Sequence, residues 1–476
     1  MRAIEKWGVA NKVVFAPEKL EMIHLTRKRG DYSLDCKVSE NQTITPVAEA
    51  SGGNQTALRW LGVWFDRKLS FRRHVDTRIA TAQKVARHLR SLANTSHGPP
   101  AAALRKAVTT CVLPSLLYGT EAWYEGQTKD PGTVRNAGDR VSTRVGWHVA
   151  AIDRTLILAA RAVLPAWKTT PSAVLLREAG LPSATVALEE AKLRFATHLQ
   201  TTDISHPLTH RMQPQRIGRG RRAAEQQMPK SKVQRLGRTL PAVLRPTLTA
   251  PHYSKDCRTD PTEGQAKKQA AAQFNTWWAN LPRSDIAVFS DGSEQRINGD
   301  RHVTYGYAIY WNRLKVAEGR GSLNPQSHVF DSEAVGAWRG LQHTIRLSPS
   351  LACPRIWMCI DSTSVIWCLR GNASMSSQWA FLQCQGAMEV FDIQIRWSPG
   401  HTGIVGNEEA DRLADLEAKI PSSPIGHAGY PTASGIRSVA KRLLNSARQD
   451  WWDARKTKLS IWYNQWNLPY ITTKTP

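Results

Sequence analysis

Two short apolar runs, Ile286–Phe289 and Ile356–Ile360, each lead within a residue or two to an aspartate, Asp291 and Asp361. Runs of four or five apolar residues suit buried strands better than helices. An acid at the tip of such a strand is aimed outward from a rigid support, so the two runs ask for a sheet whose strand ends share one edge. Tyr305–Trp311 and Val316–Gly321 read as further strands, and Ile393, Ile395 and Trp397 alternate as a fifth. After the third strand, Asp331, Ser332 and Glu333 open a helix that continues with Val335, Trp338, Leu341 and Ile345 at helical spacing, which places Glu333 in the first turn. The loop from Ser398 to Gly403 leads to a last helix, with Asn407 as its N-cap and Asp411 within it. The expected fold class is α/β: a mixed five-stranded sheet with flanking helices.

Each acid taken alone has a plainer reading. A strand-end aspartate commonly forms a turn, and Glu333 in a first turn complements the helix dipole. If all four met, they would not stay ionised side by side without cations, since like charges at contact raise one another's pKa. A ligand set of oxygens with no cysteine selects Mg²⁺ or Mn²⁺ over zinc. Two such ions can stabilise both the attacking and the leaving oxygen of a phosphodiester.

Charge points the same way. The 476 residues carry 64 Lys+Arg against 39 Asp+Glu, a net charge of +25, which favours a polyanionic partner over a neutral metabolite. The excess is uneven: residues 1–282 hold 43 basic and 22 acidic residues, 283–420 hold 13 and 15, and 421–476 hold 8 and 2. A near-neutral block thus lies between two basic arms able to touch a phosphate backbone. Phe71, Val75, Ile79, Ala82, Ala86, Leu89 and Ala93 form a helical stripe with Arg72, Arg73, Arg78, Lys84, Arg87 and Arg90 off it. A second helical stretch opens at Gly98–Pro100 and is interrupted at Pro114. Between Ser205 and Arg258, six prolines and 12 basic residues against 2 acidic ones read as a basic linker that includes Arg219, Arg221 and Arg222. Seven scattered cysteines without a Cys-x-x-Cys pair exclude a disulfide framework and a zinc ribbon, and imply a reducing compartment. No apolar stretch reaches the roughly 18 residues of a membrane helix, so no membrane partner is expected.

The block 284–419 resembles type 1 ribonuclease H. Asp291-Gly292-Ser293, Glu333 in the first helix, Asp361 after the fourth strand, and the run Gly400-His401-Thr402-Gly403-Ile404-Val405-Gly406-Asn407-Glu408-Glu409-Ala410-Asp411 match that family's motifs in order. The resemblance implies that Asp291, Glu333, Asp361 and Asp411 hold two Mg²⁺ ions, with Mn²⁺ as a substitute. It also implies that RNA paired to DNA is cut, and that His401 on a mobile loop moves protons or aids product release. Two features stand out against the family pattern. Gly336 falls inside the first helix, where it costs about 1 kcal/mol relative to alanine but leaves room for close packing. No basic residue occurs between Arg370 and Arg396, so the lysine-rich hybrid-binding protrusion of some stand-alone members of that family is missing and grip on an RNA/DNA hybrid falls to the basic arms. Trp367, Trp379 and Trp397 read as core residues before stacking platforms.

Residues Phe15–Arg29 and Leu58–Phe65 look like the palm end and primer grip of a non-LTR retrotransposon reverse transcriptase. The helices up to about residue 200 then correspond to thumb and connection. The paired aspartates of such a polymerase are missing, since no Asp-Asp dipeptide occurs, and a truncated element is expected. The implied organisation is a palm remnant (1–68), a thumb-like region (69–204), a linker (205–282), a nuclease (283–420) and a basic tail (421–476). The retroelement resemblance implies an intracellular, nuclear address, weakly seconded by Arg27-Lys28-Arg29. A non-cleaving nucleic-acid-binding remnant is the rival reading, and a two-metal nuclease acting on DNA is a third.

Overall fold

The computed structural model describes residues 2–14, 16, 19–26, 34–39, 42–47, 57–94, 96–129, 140–213, 231–254, 256–351, 355–466 and 468. Arg27-Lys28-Arg29 and Arg219–Arg222 lie outside the described residues, as does part of the Phe15–Arg29 motif. Two compact units emerge, Met1–Leu193 with Leu444–Pro476, and Arg194–Leu443. No helix among the described residues is long and apolar enough to cross a membrane, and the described cysteines are free thiols.

In the first unit, an antiparallel hairpin pairs Ala57–Trp60 with Val63–Asp66. The buried Asp66 carboxylate accepts the backbone N–H groups of Lys68, Ser70 and Phe71, fixing the turn into the helix Arg72–Leu92. That helix buries Val75, Ala82, Ala86 and Leu89. Ile79 is half-buried and Ala93 exposed, so the stripe fades at its end. Arg72, Arg73, Lys84, Arg87 and Arg90 remain exposed. Arg72 stacks over Trp147 at 4.5 Å and Arg73 over Trp64 at 5.6 Å. The second helical stretch is interrupted just before Pro114, as its sequence leads one to expect, but not ended. Ala101–Ala107 passes through a wider π-helical segment, Val108–Val112, into Leu113–Leu117. The wider π-helical turn directly before Pro114 breaks the α-helical bonding register there and so accommodates a residue with no N–H to donate.

Elements of the second unit are numbered within it. Helix α1 (Lys267–Ala279) precedes strands β1 (Ile286–Ile297), β2 (Asp300–Trp311) and β3 (Leu314–Ser322). Helix α2 (Val329–Leu351), strand β4 (Ile356–Ile360), helices α3 (Thr363–Arg370) and α4 (Gln378–Met388), strand β5 (Ile393–Trp397) and helix α5 (Val405–Lys419) follow. The sheet order is β5-β4-β1-β2-β3. β4 runs parallel to β1 and β5, while β2 is antiparallel to β1 and β3. This is the mixed five-stranded α/β sheet with flanking helices that the sequence leads one to expect.

Strand alternation splits the core. Ile286, Val288, Ile309, Met358 and Ile360 pack with Ala334, Ala337 and Leu341 of α2 and with Val365, Leu369 and Phe381 of α3 and α4. Ala287, Phe289, Ala308 and Cys359 pack with Ala271 and Phe274 of α1 and with Ala410 and Leu413 of α5.

Four expectations change. Asp291 is not at the tip of its strand: β1 continues six residues further and reverses at Asn298-Gly299, where both residues have positive φ, the geometry of a tight two-residue hairpin. Glu333 is the fifth residue of α2, which begins at Val329. The first-turn acid is Asp331, whose carboxylate accepts the His328 N–H at 2.9 Å. Asn407 does not cap α5, which starts at Val405 with Ile404 as N-cap; it lies buried inside the first turn. Finally, the span 205–282 is not linker throughout, because Phe274 of α1 is fully buried against Phe289. The positively charged run Lys267-Lys268 had disguised the apolar spacing of Ala270, Ala271 and Phe274.

Candidate active site

Asp291, Glu333 and Asp361 meet. One carboxylate oxygen from each lies within 4.8 Å of the others. β1 delivers Asp291, the start of α2 delivers Glu333, and the end of β4 delivers Asp361; β1 and β4 are register partners, with Ile360 beside Ser290.

Close backbone approach makes the convergence possible. A Cβ on Gly292 would sit 2.5 Å from Ser332 Oγ and 2.8 Å from the Glu333 nitrogen. Any side chain there would push α2 away from β1. A Cβ on Gly400 would lie 2.8 Å from Asp361 Oδ2, so glycine lets the loop after β5 pass directly beside that carboxylate. Gly336 also meets its expected use, since its Cβ position is 3.1 Å from Tyr305 Cβ and 3.4 Å from the Asp291 carbonyl oxygen.

Each acid is held. Asp291, only 6% exposed, accepts the Gly292 N–H at 2.6 Å. The Ser362 side chain donates to Glu333. The indole N–H of Trp397 donates to the Asp361 carbonyl oxygen at 2.9 Å, fixing the strand end behind that acid. Asp361 Oδ1 is buried with no hydrogen-bond partner.

Burial dominates the electrostatics. It pushes Asp291 up to about 8, with Asp361, Asp411 and Glu333 adding to the rise and the Gly292 N–H opposing it. Burial also raises Glu333 to about 7, opposed by Ser362 and reinforced by Asp361. Asp361 is raised by burial, opposed first by the backbone N–H groups of Asp361 itself and Ser362 and then by the charges of His401 and Lys267. Three carboxyls held together against their own repulsion, one with an orphaned buried oxygen, form a hard-oxygen donor set that fits a divalent cation.

Asp411 and His401 stand further out. Asp411 is outside the 4.8 Å group, although its charge acts on Asp291. His401 has a side chain 79% exposed, with Nδ1 3.8 Å from Asp411 Oδ2. It takes a positive φ of 57°, two residues before Gly403 at 81°. Asp415, one turn after Asp411, raises the Asp411 pKa, second to burial among the causes. It is itself held by Ser293 Oγ at 2.9 Å.

Sequence reasoning missed Lys267, Ser362 and Asp415. Asp415 is four residues from Asp411, a spacing that shares one helical face. Lys267 was hidden by its assignment to the linker. Among the tryptophans, Trp379 and Trp397 pack against core clusters, whereas Trp367 is 40% exposed.

No family model matches the chain, and no curated protein matches it. Solved structures similar to part of it include the N-terminal RNase H domain of a Mycobacterium tuberculosis protein, 20% identical, covering 28% of this chain and 97% of that one with a TM-score of 0.23. RNase H1 from Halobacterium salinarum is 20% identical over 29% of this chain and 98% of its own, with a TM-score of 0.23. The prototype foamy virus protease–reverse transcriptase is 16% identical over 29% of this chain and 21% of its own, with a TM-score of 0.25.

Proposed function

We propose that the second unit is a ribonuclease H that hydrolyses, endonucleolytically, the RNA strand of RNA/DNA hybrids. The observation that carries this reading is the meeting of Asp291, Glu333 and Asp361; the ordered motif run from Gly400 to Asp411 supports it. Asp291, Glu333 and Asp361 would hold a Mg²⁺ or Mn²⁺ ion, with Asp411 helping to hold a second. When bound, such ions neutralise developing charge on the phosphodiester and make water a competent nucleophile.

The chain's own groups prepare that chemistry. The Gly292 N–H fixes the rotation of the Asp291 carboxylate, Ser362 orients Glu333, and Trp397 anchors the backbone of Asp361. The exposed His401 ring, turned toward Asp411 through Nδ1, is free to carry a proton to the leaving oxygen or to ease product away. Basic residues outside the nuclease, including the exposed row on Arg72–Leu92, supply grip on the hybrid.

A retroelement origin is part of the same proposal and rests on the palm-end and thumb resemblance; a nuclear address follows from it and is checked by imaging tagged protein. The activity is tested by digesting a hybrid labelled on either strand, with and without Mg²⁺. Only the RNA label should shorten, and only with metal. Asp291→Asn and Asp361→Asn should each abolish cutting while leaving hybrid binding nearly intact. Cleavage that survives either change sinks the site assignment, salt-dependent binding without any turnover favours a silent remnant, and cutting of duplex DNA identifies a different nuclease.

A further inference from the structure

A second polar cleft, of about 380 Å³, opens on the α2 face of the sheet and shares no residue with the carboxylate site. Its walls are Tyr305 and Tyr307 of β2, the end of β3, and Arg339, Gln342, His343 and Arg346 of α2, closed below by Ser422 and Ser423. Arg339, His343 and Arg346 are spaced i, i+4, i+7, so one face of α2 presents three nitrogen-rich side chains to the cleft.

The tyrosines are set for polar use. Tyr305 is paired with Gly321, and Tyr307 with Gly319. A Cβ on Gly319 would lie 2.3 Å from the Tyr307 hydroxyl, and one on Gly321 would lie 2.6 Å from that of Tyr305. The two glycines therefore let both rings lie across β3 with their hydroxyls at its edge. Tyr307 Oη is 3.1 Å from His343 Nδ1, and Arg339 hydrogen-bonds Tyr305.

The charges are unbalanced. Arg320 at the rim is matched by Glu417 at 3.3 Å, and Glu417 is further occupied by Ser322 and Ser422. Among the described residues, neither Arg339 nor Arg346 has a carboxylate partner, and no acid lines the cleft. The Nε of Arg339 is buried and has no hydrogen-bond acceptor. The Nη1 of Arg339 reaches Gln342 Oε1 at 3.3 Å, but a buried guanidinium N–H without an acceptor is costly, and the fork geometry of the group matches the oxygens of phosphate.

We propose that this cleft binds a phosphate group, with Arg339 and Arg346 as the charged ligands and the Tyr305 and Tyr307 hydroxyls as lateral donors. The phosphate comes either from a nucleic-acid backbone or from a free phosphate or mononucleotide. Calorimetric titration of the full chain with inorganic phosphate, at constant ionic strength in chloride, tests it. The background is Asp291→Asn without divalent metal, so that the outcome is independent of the nuclease reading. Binding should weaken about ten-fold or more in Arg346→Gln, an exposed position where folding is not at risk, and likewise in Arg339→Gln. Arg339→Lys should recover only part of the loss. A labelled twelve-nucleotide single strand separates the sources. A salt dependence shallower by about one charge in Arg346→Gln assigns the site to a backbone; an unchanged salt dependence assigns it to the free anion. No phosphate binding, or equal binding by all four proteins, overturns the proposal.

Discussion

Replacing Asp291 with asparagine should stabilise the metal-free protein and abolish its response to Mg²⁺. Asp291 titrates at about 8 in the fold, against 3.8 for a free aspartate, with burial as the first cause. Between those values the native state keeps a proton that the unfolded chain has released. Stability is therefore fully present below about pH 4 and is lost as pH rises through 8. At about 1.4 kcal/mol per pH unit, the whole interval sets a ceiling of about 6 kcal/mol on the cost of ionising this carboxylate in the apo fold. Asp361 and Glu333 share that repulsion, and relaxation and water entry relieve more of it, so a gain of about 2 kcal/mol is expected for Asp291→Asn at pH 8.5. A unit of this size would melt about 4–8 °C higher. The assay is a pair of thermal melts in EDTA, at pH 5.5 and 8.5, followed by a Mg²⁺ titration at the higher pH. Wild type should melt lower at pH 8.5 than at 5.5 and climb with Mg²⁺; the variant should show a smaller pH effect and little climb. Equal melting of the two proteins at pH 8.5 without metal would refute the claim that an uncompensated buried charge sits at this position.

Other consequences follow from the same geometry. Affinity for Mn²⁺, measured calorimetrically, should rise steeply between pH 6 and 8, because the ion must displace protons from Glu333 and Asp291, held at about 7 and about 8; a flat profile would contradict the raised carboxyls. Gly292→Ala should cost about 1–3 kcal/mol in a urea melt and remove most turnover, since the new methyl meets the Glu333 nitrogen at 2.8 Å. Trp397→Phe should leave the fold intact but lower turnover several-fold through the lost bond to the Asp361 carbonyl oxygen. His401→Ala should change neither melting temperature nor Mn²⁺ affinity while slowing turnover, as its exposed ring contributes no core contact.

The acids were legible in the sequence because strand burial and an ordered motif leave marks at the level of residue type. The distances between them were not. Nothing about the letter Gly292 tells whether it ends a strand or lets a helix press against one, and the expected strand tip at Asp291 proved to be the middle of a twelve-residue strand. The same limit explains Glu333 and Asn407. A helix start is read from its capping residue, and here Ile404 caps α5 with no side-chain hydrogen bond.

The ends of the second unit were hidden for a different reason. A sheet with two apolar faces needs cover on both, and α5 alone does not cover the face of Ala287 and Phe289; Phe274 and Trp278 of α1 do, with ring centroids 6.0 and 5.5 Å from Phe289. At the other end, the fully buried Asp331 carboxylate, two residues before Glu333, accepts hydroxyl hydrogen bonds from Ser376 and Ser377 at 2.6 and 2.9 Å. Thr432 donates to it at 2.9 Å, and Ser434 also bonds it. A buried carboxylate that lost these donors would pay a large desolvation cost, so residues beyond 420 hold the start of α2, and with it Glu333, in place. The motif-bearing span 284–419 therefore supplies the three clustered acids, while the physical unit that keeps them together reaches from α1 to at least Ser434.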